Sequence, residues 1–257
     1  MGEIMSQDIA GILINERANH RSRSLYDWTQ INFAYHNNRI EGSMLSLGQT
    51  AQLYRATAFN HDSNDIIEMQ NHFRLFDYVL DSIDEPLTLD YIKKLHGILK
   101  QGTISRRGTQ EVIGDFKHKN NVIGQLQTVN TVPADQVPDQ LAHLLKLWNK
   151  QRQTELSDYA AFHYGFERIH PFSDGNGRIG RMLLFKERCR NRVIPFILAD
   201  EDRPFYIRGL REFKRTPGYL IDTFGNAMDQ YAYAFEQVYG NYLQKQRNQN
   251  KPKQPRR

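Results

Sequence analysis

The chain has 257 residues, a formal net charge of +5 and a mean hydropathy of −0.67, so it is long enough for one sizeable core beneath a very polar surface. Its single cysteine excludes an internal disulfide and a multi-cysteine zinc site, and its apolar run at residues 193–199 is too short to span a bilayer. We expect a cytoplasmic protein without a conventional secretion signal, and its positive charge permits nucleic-acid partners without requiring them.

The first 35 residues have the apolar spacing of two helices separated by a polar break at residues 20–24. The second helix continues to Gly42, which is a suitable helix stop because glycine readily adopts the left-handed backbone found there. Glu41 precedes this stop and lies at the negative end of the helix dipole, where a carboxylate requires a cationic partner. The sequence therefore predicts a positively charged group near Glu41.

Three further helices follow, each with a polar residue or a proline at its start. Ser46 is expected to cap a helix over residues 47–57, Ser63 or Asn64 a longer one to about residue 82, and Pro86 opens one over residues 87–99. Apolar side chains at helical spacing give each a buried face. We interpret these faces as core packing and not as a cofactor site.

Residues 102–132 have a different pattern, with short apolar pairs in place of helical spacing. Val112-Ile113 and Val122-Ile123 flank the polar segment 115–121. Two short apolar runs around a polar turn predict a β-hairpin.

Two amphipathic helices are predicted next, over residues 133–150 and 158–169. The second carries His163, which lies seven residues and thus two helical turns before His170, on the same face. No zinc-binding spacing of histidines is present. We therefore interpret His163 as a hydrogen-bonded core histidine close to the site described next.

The segment that follows contains the densest group of chemically active residues, and we expect it to bind phosphate. It consists of His170-Pro171-Phe172-Ser173-Asp174-Gly175-Asn176-Gly177-Arg178-Ile179-Gly180-Arg181. Gly175 and Gly177 permit a tight turn that leads into a helix start, where backbone N–H groups attract anions. Arg178 and Arg181 project from one face of that helix toward successive phosphates.

Two further residues complete the predicted chemistry. His170 has an ordinary pKa near neutral pH and is suited to act as a general base, and Asp174 can hold Mg²⁺ against the same phosphates. A purely structural helix–loop–helix corner is the alternative interpretation. The number of specified positions in one short run favours the functional one.

This run meets every fixed position of the signature H-P-F-x-[DE]-G-N-G-R-x-x-R, and the chain thereby resembles the Fic (filamentation induced by cAMP) family. Fic proteins are all-helical enzymes, most of which transfer AMP from ATP to a hydroxyl of a target protein. The resemblance implies that His170 deprotonates the target hydroxyl, that Phe172 anchors the loop in the core and that Asp174 binds Mg²⁺. The residues that it assigns to nucleotide binding in this run are Gly175, Asn176, Gly177, Arg178 and Arg181. Asn176 and neighbouring backbone amides would hold the α-phosphate, and the two arginines the β- and γ-phosphates.

The resemblance also implies a partner for Glu41. Many Fic proteins carry an inhibitory helix with the pattern [ST]-x-x-x-E-[GN], whose glutamate pairs with the second arginine of the signature and occupies the place of the γ-phosphate. Glu41-Gly42 fits this pattern and implies a pair with Arg181. Asn37 stands where Ser or Thr is usual, and its amide can also form a hydrogen bond. A surface glutamate before a glycine cap is the alternative.

Two more expectations come from the family. A hairpin flap in Fic proteins binds the target segment by strand addition, which implies a protein substrate along residues 112–124. An aromatic pair beyond the signature lines the nucleotide pocket, and Phe205 and Tyr206 stand at this place, with core packing as the alternative for both.

These features predict an all-α fold of the Fic type with a short β-hairpin flap near the active site. Residues 1–45 would form N-terminal helices that include the inhibitory helix, residues 46–243 the catalytic domain and residues 244–257 a basic disordered tail. We predict a protein adenylyltransferase that uses ATP and Mg²⁺ and is autoinhibited by Glu41 through Arg181, without membrane contact and with a homo-oligomer left open.

Two alternatives are kept. The first is a Fic relative that transfers another nucleotide or phosphate-containing group or removes AMP. The second, from a different class, is a basic nucleic-acid-binding module, which is disfavoured because a phosphate clamp needs no base such as His170.

Overall fold

The computed structural model describes residues 8–56, 63–103, 112–123, 129–150, 152–153, 155–240 and residue 242. The predicted all-α fold is confirmed in these residues. The helices are α1 (Ile9–Ala18), α2 (Leu25–Ile40), α3 (Leu47–Arg55), α4 (Asn64–Asp81), α5 (Leu89–Lys100), α6 (Val137–Trp148), α7 (Leu156–Ile169), α8 (Asn176–Arg190), α9 (Arg203–Glu212) and α10 (Gly218–Phe235). A 3-10 turn precedes α6 and another precedes α9, and a π-helical segment, Glu236–Gly240, follows α10. The predicted disordered tail, residues 244–257, lies outside the described residues.

Side-chain caps set the starts of several helices. Ser24, Ser46, Ser63 and Thr88 each accept a hydrogen bond from a backbone N–H in the first turn of the helix that follows. Ser46 forms a complete capping box with its third helical residue. The caps predicted at Ser46 and Ser63 are thus confirmed, whereas α5 begins after Thr88 instead of at Pro86, because the threonine hydroxyl supplies the cap.

Helix α8 runs through the centre of the molecule and contacts α1, α2, α4, α5 and α7. Thirteen of its 15 residues are buried, so even its charged side chains need partners inside the protein. Lys186 donates to the carbonyls of Ile83 (3.1 Å) and Glu85 (2.5 Å), and Arg188 donates to the Ile194 carbonyl at 2.5 Å. A helix fixed in this way on all sides holds its first turn rigidly.

The hydrophobic core is continuous from α1 to α10 and is rich in aromatic rings. Phe33, Phe76 and Phe185 form a cluster with ring centroids 5.2 to 6.1 Å apart, which joins α2, α4 and α8. Cys189 is buried in α8, and burial raises the pKa of its thiol, so the unreactive thiol form is favoured. Among the described helices, none combines the length and apolar character that a membrane span requires.

The hairpin region differs from its prediction. Val122–Ile123 (β1) pairs antiparallel with Val129–Asn130 (β2), so the predicted pairing of Val122-Ile123 with Val112-Ile113 is wrong. The earlier segment packs against α5 instead. The Gly114 N–H donates to His96 Nδ1 at 3.1 Å, and Gly114, with a φ of +76°, lies so close to Gly97 that a Cβ there would be 3.5 Å from the Gly97 Cα.

Candidate active site

The predicted phosphate-binding run forms the end of α7, a short loop and the first turn of α8. His170 ends α7 in the left-handed conformation (φ 51°, ψ 63°), with its N–H donating to the Phe166 carbonyl. Gly175 precedes α8 with a φ of 80°, and a Cβ there would lie 3.3 Å from a methyl group of Leu99. The loop therefore turns back tightly enough to set His170 beside the helix start.

The loop is fixed from inside. Phe172 is fully buried and stacks on His96, with ring centroids 3.9 Å apart and planes 5° apart. The Asn176 side chain accepts from the Phe172 N–H and donates to the Phe172 carbonyl, both at 2.8 Å. The structure thus places the Asn176 amide on the loop backbone, so Asn176 shapes the helix start from within.

A carboxylate from α2 lies at the anion-attracting end of α8. Glu41 accepts a hydrogen bond from Arg181 Nη2 at 2.7 Å. A Cβ placed on Gly177 would overlap the same carboxylate oxygen, so Glu41 lies directly against the first turn of α8. Burial alone would raise the pKa of Glu41, but Arg181 and Arg178 together outweigh it and lower that pKa. Glu41 is therefore an anion at the place where the sequence predicts phosphate.

Asn37 joins α2 to the same arginine. Arg181 Nε donates to Asn37 Oδ1 at 2.6 Å, and Arg181 Nη2 donates to the Asn37 carbonyl at 3.1 Å. The amide nitrogen of Asn37 donates to the Arg178 carbonyl (3.2 Å) and contacts His72 Nε2 (2.8 Å). Burial lowers the pKa of His72 to about 3, so the ring is neutral and accepts this proton. The amide has two N–H donors for His72 and the Arg178 carbonyl and an oxygen that accepts from Arg181, whereas a Ser or Thr hydroxyl has only one donor.

Arg178 belongs to a buried charge network. Its guanidinium contacts Glu68 at 2.6 Å and Asp174 at 3.3 Å. Lys100 contacts the same two carboxylates, Glu68 at 2.8 Å and Asp174 at 2.6 Å. Sequence reasoning missed Glu68 and Lys100. One signal was present for Glu68: it lies four and eight residues before His72 and Phe76, on the inward face of α4.

Asp174 is the residue predicted to hold Mg²⁺, and its chemistry fits that ion. Burial would raise its pKa, but Arg178 and Lys100 hold it well below the usual range, and the side chain is 43% exposed. An ionised, accessible carboxylate suits Mg²⁺, which keeps several waters and binds one or two carboxylates together with phosphates. Among the described residues, three side chains lie close enough together to hold a metal ion, namely His36, Asp200 and Glu201, and Asp174 is not one of them.

His170 is neutral at physiological pH. Burial, followed by the nearby charge of Lys117, lowers the pKa of its imidazole to about 4. Glu167 lies next to it, with Oε2 3.9 Å from His170 Nδ1, and burial raises the pKa of Glu167 to about 7. A neutral imidazole has a free lone pair, so this ring can accept a proton without first losing one.

The predicted aromatic pair separates. Tyr206 is 2% exposed and bonds to His163 Nε2 at 2.7 Å, and the Arg181 guanidinium lies 5.7 Å from its ring centroid. This confirms His163 as a hydrogen-bonded core histidine. Phe205 is 60% exposed and lines a different pocket of about 290 Å³ with Arg208 and Tyr219. Successive helical residues point about 100° apart, which explains why only one of the pair reaches the site.

Comparison with known proteins gives these features a family context. Residues 86–186 match the sequence model of the Fic/DOC family. Among curated relatives, protein adenylyltransferase fic-1 of Caenorhabditis briggsae is 29% identical over 195 residues, and protein adenylyltransferase Fic of Nematostella vectensis is 26% identical over 196 residues. Both alignments cover 69% of this chain but only 35% and 42% of the relatives, so the chain spans well under half the length of the curated relatives it matches.

Solved structures share the fold. A Fic domain containing signalling protein from Bacteroides thetaiotaomicron superposes with a TM-score of 0.67 and 25% identity, covering 85% of this chain and 82% of that one. A Fic-1 fragment from Caenorhabditis elegans gives a TM-score of 0.61 and 24% identity, covering 81% and 64%.

Proposed function

Because this chain carries a Fic/DOC-family domain over residues 86–186, we propose that it is a protein adenylyltransferase, which transfers AMP from ATP to a hydroxyl side chain of a target protein. One observation carries the proposal. A neutral His170 lies beside a helix start whose anion-binding groups are occupied by the Glu41 carboxylate. A binding module for phosphate has no use for a buried neutral base next to its anion site.

In the proposed reaction the target hydroxyl oxygen forms a bond to the α-phosphorus of ATP. The bond from that phosphorus to the oxygen that bridges to the β-phosphate breaks, and pyrophosphate leaves. His170 accepts the hydroxyl proton as the new bond forms. The backbone amides of Gly175, Asn176 and Gly177 stabilise the charge that develops on the α-phosphate, because they are fixed before the reaction begins.

The remaining signature residues would hold the leaving group. Arg178 and Arg181 are suited to the β- and γ-phosphates because guanidinium groups bind phosphate with paired donors. Without nucleotide, Lys100 and Arg178 neutralise the Asp174 carboxylate. The triphosphate would add negative charge to the site, and Asp174 would then hold Mg²⁺. When bound, Mg²⁺ neutralises charge on the phosphates and on the leaving pyrophosphate.

We also propose that Glu41 inhibits this reaction. Its carboxylate occupies the first turn of α8 and one donor of Arg181, so the γ-phosphate would meet a negative charge and a ligand already in use. Asn37 supports the inhibited state, because its bonds to Arg181 fix the arginine toward α2.

We further propose where the protein substrate and the nucleotide base bind. A protein substrate would bind along the hairpin flap near residues 112–124, with β1 (Val122–Ile123) as the strand that it extends. Tyr206 would contribute to nucleotide binding beside Arg181, and Phe205 would offer an exposed ring for a purine. Residues 1–45 would be the regulatory part and residues 46–243 the catalytic part of a cytoplasmic enzyme.

Intact-mass spectrometry tests the proposal. The wild type, Glu41→Gly and His170→Ala are incubated with a cell lysate, Mg²⁺ and ATP, or with each other nucleotide in turn. We expect proteins that gain the mass of AMP, more of them with Glu41→Gly and none with His170→Ala. Transfer of a different group would select the alternative donor, and equal transfer by His170→Ala would remove this residue as the base.

A further inference from the structure

The segment before β1 surrounds the backbone on both sides of His170. The Lys117 N–H donates to the Pro171 carbonyl at 2.9 Å, and Lys117 Nζ donates to the Ile169 carbonyl at 3.4 Å. Asn121 Nδ2 donates to the Phe172 carbonyl at 3.0 Å. Three carbonyl groups next to His170 are therefore held by two residues of a segment that lies about 50 positions earlier in the chain.

Lys117 also joins this loop to the base of the hairpin. Its ammonium donates to Asn121 Oδ1 and to Thr131 Oγ1, both at 2.7 Å, and Thr131 in turn donates to the Asn121 backbone carbonyl at 2.9 Å. Asn121 directly precedes β1 and Thr131 directly follows β2. A single buried ammonium thus links both ends of the hairpin to the loop that carries His170.

The environment of Lys117 is unusual for a lysine. The residue is 2% exposed, and its acceptors among the described residues are neutral oxygens, so its positive charge is not cancelled by an ion pair. Burial lowers its pKa to about 8, which still leaves the ammonium charged at neutral pH. Burial of this charge is costly, and the ammonium and backbone N–H of Lys117 bind the carbonyls on either side of His170 as well as the base of the hairpin.

We propose that Lys117 is a positioning residue for His170, which fixes the left-handed backbone of that residue beside the base of the hairpin. The inference rests on the proposed function of His170 as the base. Hydrogen bonds on both sides hold the φ of 51° that this residue would otherwise leave, since a residue with a side chain in this conformation is strained. The ammonium charge of Lys117 also disfavours a second positive charge on the imidazole.

Other charged groups also face the imidazole. A backbone hydrogen bond to Glu167, the Glu41 carboxylate at the end of α2 and the Asp174 carboxylate of the loop favour the protonated ring, whereas burial and Lys117 disfavour it. Removal of the Lys117 charge leaves burial opposed by the Glu41 and Asp174 carboxylates. The imidazole pKa should then rise from about 4 toward its usual value near 6.5.

The test combines activity with a measurement that does not depend on activity. The His170 imidazole is titrated by NMR in the wild type, in Lys117→Met and in Lys119→Met, with His170→Ala used to assign the signal. Lys119 is an exposed lysine two residues away and serves as the matched control. We expect the His170 pKa to rise only in Lys117→Met. Transfer of AMP, measured in a Glu41→Gly background, should fall about ten- to hundredfold in kcat, with the Kd for ATP unchanged.

Two further variants separate the effect of the Lys117 charge from the effect of the hydrogen bonds to the loop. They can also be used if Lys117→Met does not fold. Lys117→Arg keeps the charge and should keep the low pKa of His170. Asn121→Ala keeps the charge of Lys117 but removes one of its acceptors and one of the two donors to the Phe172 carbonyl, so kcat should fall while the pKa of His170 stays low. The inference is overturned if Lys117→Met matches Lys119→Met in both measurements, or if Asn121→Ala has the parent kcat. Full AMP transfer by His170→Ala would instead contradict the proposed function and leave the titration result for Lys117 valid.

Discussion

Each charged side chain at the start of α8 is balanced by a residue from a distant part of the chain. Glu41 of α2 faces Arg181, and Glu68 of α4 lies between Arg178 and Lys100. Buried charges are tolerated only when they are paired in this way. A triphosphate that enters the site must replace carboxylates that already pair with these arginines. Its affinity is therefore the difference in free energy between the new arginine–phosphate contacts and the arginine–carboxylate contacts that are lost.

Glu41→Gly should raise AMP transfer by about tenfold or more. A hydrogen bond to a charged group contributes about 1.5–3 kcal/mol, and the lower end applies because over a third of the Glu41 side chain is exposed. Initial rates with ATP and Mg²⁺ measure the change. Glu85→Gly, which removes an exposed glutamate from the loop between α4 and α5, is the control. Equal rates for the wild type and Glu41→Gly, together with equal apparent ATP affinity, would contradict the inhibitory role.

The pH dependence of kcat/KM should show the low pKa of His170. The imidazole accepts a proton only while it is neutral, so activity is retained above its pKa and lost as the pH falls through about 4. We expect a nearly constant kcat/KM from pH 8 down to about pH 5, measured in the Glu41→Gly background. An acid limb centred near 6.5, the usual value for histidine, would show that burial and Lys117 do not perturb the ring.

Asp174→Asn should raise the Mg²⁺ concentration that gives half-maximal transfer, because the amide keeps the shape of the side chain but loses its charge. Ser173→Ala, an exposed neighbour in the same loop, is the control. A Mg²⁺ titration at fixed ATP measures both variants. If the two titrations coincide, another residue holds the ion.

At the scale of helices, α2 is held at its carboxyl-terminal end by the turn before α9. His36 Nδ1 lies 2.8 Å from Asp200 Oδ1, Arg39 Nε lies 3.3 Å from Asp200 Oδ2, and Arg203 donates to the Ile40 carbonyl at 2.9 Å. These contacts fix the end of α2 that carries Glu41. The position of Glu41 thus depends on a segment that follows α8, and not on α2 alone.

Asp200→Ala should therefore raise AMP transfer severalfold, less than Glu41→Gly, because it loosens α2 without removing the carboxylate. The control is Asp202→Ala, since Asp202 faces Asn226 of α10 instead. In the Glu41→Gly background, Asp200→Ala should have no further effect. An equal increase in both backgrounds would show that Asp200 acts on the reaction independently of α2.

Local signals in the sequence predict the helices, the glycine turn and the residues of the loop, because spacing and turn chemistry act over a few residues. The charge network of Arg178 could not be predicted, since its partner Glu68 and Lys100, which contacts the same carboxylates, come from helices that begin about 110 and 90 positions earlier. The hairpin shows the same limit. Val122–Ile123 is a strand, but packing of Gly114 on α5 decides which segment pairs with it.

At the scale of the whole molecule, four of the described histidines are held in the neutral form, three of them buried and His170 partly exposed. Burial is the main cause that lowers the pKa of His72 and His163 to about 3 and that of His96 and His170 to about 4. The unfolded chain binds protons at these positions below about pH 6.5, whereas the folded chain does not. Stability is therefore present above 6.5 and lost as the pH falls toward 4. Glu167 has the opposite effect, because its pKa is raised to about 7 and the folded chain therefore keeps a proton there, but it is one group against four.

Thermal unfolding should consequently occur at lower temperature at pH 5 than at pH 7. Each histidine contributes about 1.4 kcal/mol per pH unit in this range, so the loss in free energy of unfolding amounts to several kcal/mol. Calorimetry at pH 7, 6 and 5 measures it, and proton uptake on unfolding at pH 5 provides an independent check. A midpoint that does not change over this range would contradict the neutral burial of these rings.

The burial of Arg178 has a consequence for the lifetime of the protein in a cell. Loss of this arginine leaves the buried Glu68 carboxylate with Lys100, which it shares with Asp174, as its remaining cation among the contacts described, and this is a strongly destabilising change. Arg178→Ala should therefore be degraded faster than Arg181→Ala, whose carboxylate partner is partly exposed. Arg178→Met combined with Glu68→Gln removes both charges of the pair and should restore cellular abundance without restoring AMP transfer, so that the steady-state amount and the activity of the enzyme become separable.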